Sequence, residues 1–221
     1  MGRTYTTYFN LSKPDYGAAG ADWYSWLNAN LDAIDAQLAK NPQLATAVGA
    51  TKDRRYLAGM PSNVALTTGA PSANQLRAFP FVTELARTVD RIGINVTTLA
   101  AGLARVGIYA DDGSLYPGSL VLDAGWLDVS ATGVKEATIS QALSANTLYW
   151  LALVGNVAPT LRCLDITACL ALLGLDSGYG TVQGVGWVAA LTYAALPATF
   201  TAGGTVITAA PIPAIGLRFS V

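Results

Sequence analysis

From Leu76 onward, short runs rich in Val, Ile, Thr and aromatic residues alternate with Gly, Asp, Asn and Pro. Strand side chains point to opposite faces in turn, and these turn residues interrupt strands, so the rhythm predicts antiparallel β-structure. Strands are expected at about 79–87, 91–98, 103–110, 120–129, 134–141, 147–155, 181–193, 205–209 and 214–220. Residues 161–175 are densely apolar without alternation, which predicts a short helix packed at the edge of the sheets. A chain this rich in strands must hide its sheet edges, and a mainly β two-sheet sandwich of jelly-roll-like order does so.

One segment before this region follows a different period. In Asp22–Lys40, DWYSWLNANLDAIDAQLAK, the residues Tyr24, Leu27, Leu31, Ile34 and Leu38 form one narrow apolar stripe on a helix. Asp22 suits the N-cap, and Asn41-Pro42 ends the helix because a residue before proline is pushed out of the helical region. The stripe needs a cover, either other copies of the chain in a short parallel coiled coil or the helix's own domain. Residues 1–21, with Lys13-Pro14 and Gly17-Ala18-Ala19-Gly20, predict an extended arm. Residues 43–75 have no sustained period and read as a linker or extended docking segment. The expected organisation is thus an arm and amphipathic helix over 1–42, a connection over 43–75 and a β-sandwich over 76–221.

Charged residues make up 12% of the chain against about 25% in ordinary domains, while 52% are hydrophobic. Apolar surface in that excess is expected to face other protein chains in an obligate oligomer. A net charge of -1 without a basic run argues against nucleic acid. Membrane insertion is not expected either, since no apolar stretch approaches the roughly 20 residues that span a bilayer. The first residues lack the apolar core of a secretion signal, so synthesis and first use in a cytoplasm are expected. Cys163 and Cys169 could form a disulfide, but two reduced core thiols fit that compartment better.

The chain has no histidine, which removes Ser-His-Asp and Cys-His catalysis and most zinc sites. Asp111, Asp112, Asp123, Asp128 and Glu136 fall near predicted turns or strand ends. Carboxylates there usually form turns, and a glycosidase pair is the lesser reading. Asp111-Asp112-Gly113 lacks the further ligands of a calcium loop, and GYGTVQGVGW precedes a strand-like run instead of opening a helix. No enzyme activity, catalytic residue, metal or cofactor is expected.

RVGIYADDGSLYPGSLVLDAGWLDVS and KEATISQALSANTLYWLALVGNVAPTL carry a further pattern. A strand ends in Gly107-Ile108-Tyr109, a turn holds Asp112-Gly113 and Pro117-Gly118, and the next strand closes on Asp123-Ala124-Gly125. Tyr149-Trp150-Leu151-Ala152 then fills a central strand, where the alternating rings let one enter the core. This order of parts resembles the β-sandwich modules of bacteriophage tail fibres and tail spikes. Trp26 followed by Leu27-Asn28-Ala29-Asn30-Leu31-Asp32-Ala33-Ile34-Asp35 is similar to the N-terminal attachment regions of phage tail-fibre proteins. The long repetitive shaft of a typical fibre has no counterpart between them.

The resemblance implies a structural virion protein, a short tail fibre assembled in the host cytoplasm. It implies a homotrimer joined through Tyr24, Leu27, Leu31, Ile34 and Leu38. Trp23, Trp26, Asn28, Asn30, Asp32 and Asp35 would anchor it to other virion proteins. Tyr116 and Tyr179, in the loops SLYPGS and DSGYG, would meet a host glycan or protein. Two other readings stay open: a stand-alone carbohydrate-binding or accessory sandwich, and a decorative capsid, neck or baseplate protein.

Overall fold

The computed structural model describes residues 4–5, 12–13, 29–34, 54–61, 65–83, 85–175 and 184–220. The chain divides into two compact units, Met1–Gly49 and Ala50–Val221. In the first, β1 (Thr4–Tyr5) pairs antiparallel with β2 (Ser12–Lys13), and residues 29–34 are helical. Tyr24, Leu27, Leu38, Trp23, Trp26, Asn28 and Asp35 lie outside the described residues, as does Tyr179.

The second unit is mainly β and built from two antiparallel sheets. The six-stranded sheet runs β13 (Thr205–Ile207), β12 (Gly186–Ala190), β5 (Gln75–Thr83), β10 (Thr147–Gly155), β7 (Leu103–Asp111), β8 (Pro117–Asp128). The seven-stranded sheet centres on β6 (Arg87–Thr98), which pairs along one edge with β9 (Gly133–Leu143). Its other edge is shared by β11 (Thr160–Leu164) and β15 (Gly216–Phe219). β4 (Leu66–Gly69) and β14 (Ile212–Pro213) pair with β11, and β3 (Tyr56–Leu57) pairs with β15.

Alternation fills the space between the sheets. Phe79, Phe81, Val106, Ile108, Leu151 and Leu153 of one sheet pack with Val89, Ile92, Ile94, Val96, Leu161 and Leu217 of the other. Each such side chain contributes about 1.5–3 kcal/mol relative to exposure. The intervening residues of the six-stranded sheet, Leu76, Ala78, Tyr109, Trp150, Ala152 and Val154, point the other way and are buried too, with Leu196 and Phe200 in the same cluster. Both rings of Tyr149-Trp150 are therefore buried, one on each side of β10.

Pro80 sits inside β5, where a missing N–H usually breaks a ladder. Its carbonyl accepts from Gly59 N at 2.9 Å, on the edge of β5 that β12 covers only as far as Ala78. The proline thus falls where no neighbouring strand needs its N–H.

Three expectations are corrected. Residues 160–164 form strand β11 and not a helix: Leu161 and Cys163 are buried, Arg162 between them is exposed, and β4 flanks the strand. The Asp165 carboxylate then accepts from Thr167 N at 2.9 Å and starts a single 3-10 turn, Ile166–Ala168. β5 and β6 each begin four residues earlier than expected: β5 ends at Thr83 and β6 opens at Arg87, so that Asp90, expected between the two strands, lies within β6. Finally, part of the stretch read as a connection, 43–75, supplies β3 and β4 to the seven-stranded sheet.

The outer face of that sheet is polar. Arg218 Nη2 donates to Asp90 Oδ2 at 2.7 Å, and Arg55 forms a two-point pair with Glu136, its Nη2 donating to Oε2 at 2.9 Å. Arg55 precedes β3 while Glu136 lies on β9, and the register places Gly216 and Gly93 between them. A Cβ on Gly93 would stand 2.4 Å from Lys135 O and 2.6 Å from Glu136 Cγ. Two adjacent strands without side chains leave a bare lane for the guanidinium.

Candidate functional site

The outer face of the six-stranded sheet is where this fold places side chains that are both unusual and held. Its cover is the segment 191–204, pinned at many points. Leu191 N donates to Asn74 O at 3.0 Å and Tyr193 N to Asn74 Oδ1 at 2.9 Å. Tyr109 Oη donates to Pro197 O at 3.0 Å, Leu120 N to Ala198 O and Phe200 N to Gly118 O, both at 2.9 Å. Burial pushes the Tyr109 phenol well above its ordinary pKa, so it stays a donor. Gly107 lets the cover lie close: a Cβ there would be 2.3 Å from Leu196 Cδ1 and 2.4 Å from Leu122 O.

Tyr116, expected as an exposed receptor contact, is a structural part of this cover. Its hydroxyl donates to Thr201 O and accepts from Gly204 N at 2.9 Å. Its ring packs edge-on against Trp187 at 4.8 Å and Phe200 at 5.6 Å between centroids. The distant segment that receives it could not be seen from the local loop.

On β8, Asp123 joins three elements. Its Oδ2 accepts from Arg105 Nη1 at 2.6 Å and Leu196 N at 3.0 Å, and its Oδ1 accepts from Gly125 N at 2.9 Å. Gly125 has φ +86, in the left-handed region that favours glycine, and sits in a β-bulge between the pairs Arg105↔Trp126 and Gly107↔Asp123. The extra residue reverses the parity of the strand. Ala124 packs toward the inter-sheet core, yet so does Leu127, while Trp126 is turned outward and left 61% exposed. Trp126 stands opposite Arg105, whose charge Asp123 already neutralises. An apolar ring face beside a fixed ion pair is a surface on which a sugar ring can stack while its hydroxyls meet polar groups.

The other carboxylates have structural partners. Asp111 Oδ1 accepts from Trp150 Nε1 and Oδ2 from Gly113 N, both at 2.9 Å, and Asp112 Oδ1 accepts from Ser114 N at 2.7 Å. Asp128 Oδ1 accepts from Ser130 N at 2.9 Å, and the Ser130 hydroxyl and N–H hold that carboxyl below its usual range. Cys163 and Cys169 are buried, and burial pushes each thiol up to about 11. Among the described residues no group of three or more His, Cys, Asp or Glu is placed to hold a metal ion. No described helix is long and apolar enough to cross a membrane.

Of the residues expected at the oligomer seam, Leu31 is half-buried and Ile34 is 51% exposed, one helical turn apart. Asn30 is half-buried and Asp32 exposed on the same short helix. No protein-family model matches this chain, and no curated protein is significantly similar to it.

Proposed function

We propose that the chain is a short, fibre-like virion protein of the phage tail-fibre type, homotrimeric, which attaches the particle to a host surface. In this reading the arm and helix of residues 1–42 join the copies and fix them to neighbouring virion proteins. The jelly-roll-like sandwich meets the host. The observation that carries the attachment role is Trp126, held outward by the bulge at Gly125 beside the Arg105–Asp123 pair. Rigid aromatic rings contribute contact area at little entropic cost, which favours such a residue in recognition. The exposed Ile34 supports self-association, as does a chain with only 12% charged residues. Trp126 displaces Tyr116 as the contact expected on the sandwich.

The test compares Trp126→Ala with the parent in cell binding and thermal melting. The variant should melt within about 0.5 kcal/mol of the parent, as surface changes usually do, and bind susceptible cells much less. Undiminished binding would remove Trp126 from the contact. Particles that adsorb normally without the protein would leave the decorative reading.

A further inference from the structure

The two sheets of the sandwich differ in charge. Strands of the seven-stranded sheet carry Arg87, Arg91, Lys135, Arg162 and Arg218 against Asp90 and Glu136, and Arg55 stands just before β3. Strands of the six-stranded sheet carry Arg77 and Arg105 against Asp111, Asp123 and Asp128. A bulge concentrates the positive excess. The register of β6 to β15 steps from Arg91↔Arg218 to Val89↔Phe219, and Val89 and Ile92 both enter the core, so Asp90 and Arg91 both face outward. Each carboxylate on this face is already held at both oxygens. Arg218 Nε and Nη2 donate to the two oxygens of Asp90, both at 2.7 Å, and Arg55 holds Glu136 in the same manner. Arg91, half-buried opposite Arg218, donates from Nη1 to the backbone carbonyl of Asp90 at 2.7 Å. Among the described residues neither Arg91 nor the exposed Arg162 forms an ion pair.

We propose that this outer face binds a carboxylate-bearing polysaccharide, one acidic group seated on Arg91 and a second on Arg162. Arg55 and Arg218 show the geometry, a guanidinium meeting a carboxylate through two hydrogen bonds, which is the strong form of that pair. Arg91 stands in the same row without a carboxylate. Arg162 follows Leu161, the partner of Val96 on β6, which puts its Cα about 14 Å from that of Arg91 at ordinary strand spacings. An extended chain spans that gap where a single sugar does not. The neighbouring groups suit a sugar polymer: Asn95 and Thr68 for hydroxyls, and Val134, 63% exposed opposite Asn95, for the C–H face of a ring. Nucleic acid fits less well. The aromatic rings of these strands, Tyr56 and Phe219, pack together on the core side, where no base can stack on them, and two unpaired cations neutralise few phosphates. The surface lies on the other side of the sandwich from Trp126 and is independent of it.

Titrating the intact protein with polygalacturonate at low ionic strength tests the site. The polymer should bind, neutral dextran should not, and added salt should weaken binding, as it does for exposed charges. Arg91→Gln and Arg162→Gln should each weaken binding about tenfold, as expected for loss of one charge-assisted contact. Arg91→Lys keeps the charge but not the two-point donor, and its affinity should lie between those of the parent and Arg91→Gln. Because Arg162 is exposed, Arg162→Gln should melt with the parent, which keeps the test decisive even if Arg91→Gln unfolds. Failure to bind polygalacturonate, or undiminished binding in a folded glutamine variant, would overturn the proposal. So would tighter binding of duplex DNA, or of sulfated dextran of matched charge density, than of polygalacturonate.

Discussion

Asp123 accepts from Arg105 Nη1 at 2.6 Å and, through the same oxygen, from the backbone N–H of Leu196 at 3.0 Å. One carboxylate therefore neutralises a part-buried cation on β7 and fastens the cover segment to the sheet. Asp123→Ala removes the acceptor for both and for Gly125 N. Leaving a desolvated charge and two donors unsatisfied should cost about 2–4 kcal/mol. Urea denaturation measures the loss, and hydrogen exchange should quicken first across residues 191–204. An unchanged midpoint would mean that water replaces the carboxylate completely.

Tyr116→Phe isolates a single hydroxyl that bridges Thr201 O and Gly204 N. Keeping the ring contacts with Trp187 and Phe200, this change should cost about 1–2 kcal/mol, and Tyr116→Ala about 3 kcal/mol or more. Thermal melts of the two variants give the comparison. A tyrosine free to contact a receptor would cost far less in both.

The helical seam is tested by mass. If Leu31 and Ile34 meet their counterparts in other copies, Leu31→Asp with Ile34→Asp buries unpaired charges there, at several kcal/mol each. Light scattering should then report monomers in place of trimers. A monomeric parent, or a variant of unchanged mass, would exclude the helix as the seam.

The thiols set an alkaline limit. Burial raises Cys163 and Cys169 from 9.0 to about 11, so between these values the folded chain holds protons that the unfolded chain has released. Stability is complete below about pH 9 and falls as pH rises toward 11, by about 2–3 kcal/mol for each thiol. Denaturation midpoints across that range should decline, and in Cys163→Ala with Cys169→Ala the decline should be lost below about pH 10, above which the buried Tyr109 phenol adds its own. Alkylation at pH 8 should require unfolding in the parent.

How far the sequence reveals this fold depends on how local each element's cause is. β7 to β10 are readable because alternation and the turn residues Asp112-Gly113 and Pro117-Gly118 act within a few positions. β11 is not, because only Asp165 separates its alternating Leu161–Leu164 from the apolar ITACLALLG. β3 and β4 are too short to carry a period and exist only through pairing with strands far along the chain. The outward turn of Trp126 escapes for a different reason. Counting in twos from Leu122 and Ala124 turns Trp126 inward, and only the extra residue at Gly125 turns it out. DAGW carries that signal, an Asp two residues before a glycine whose N–H it can accept from, though it is easily read as the plain end of a strand.

The lane of Gly93 and Gly216 bears on how this sheet would carry tension. Because β3 and β15 are antiparallel, with Tyr56 opposite Leu217, the backbone leading into β3 and the backbone leaving β15 emerge at the same end of the pair. Drawing those two strands apart would open their seam like a zip, one rung after another, which is the weakest direction for hydrogen bonds. Arg55 changes the mechanics. Its guanidinium crosses both glycines to Glu136, so a pull arriving along the lead-in to β3 is spread over β15, β6 and β9 before the first rung is stressed. An edge strand of two residues is thereby hung from the breadth of the sheet.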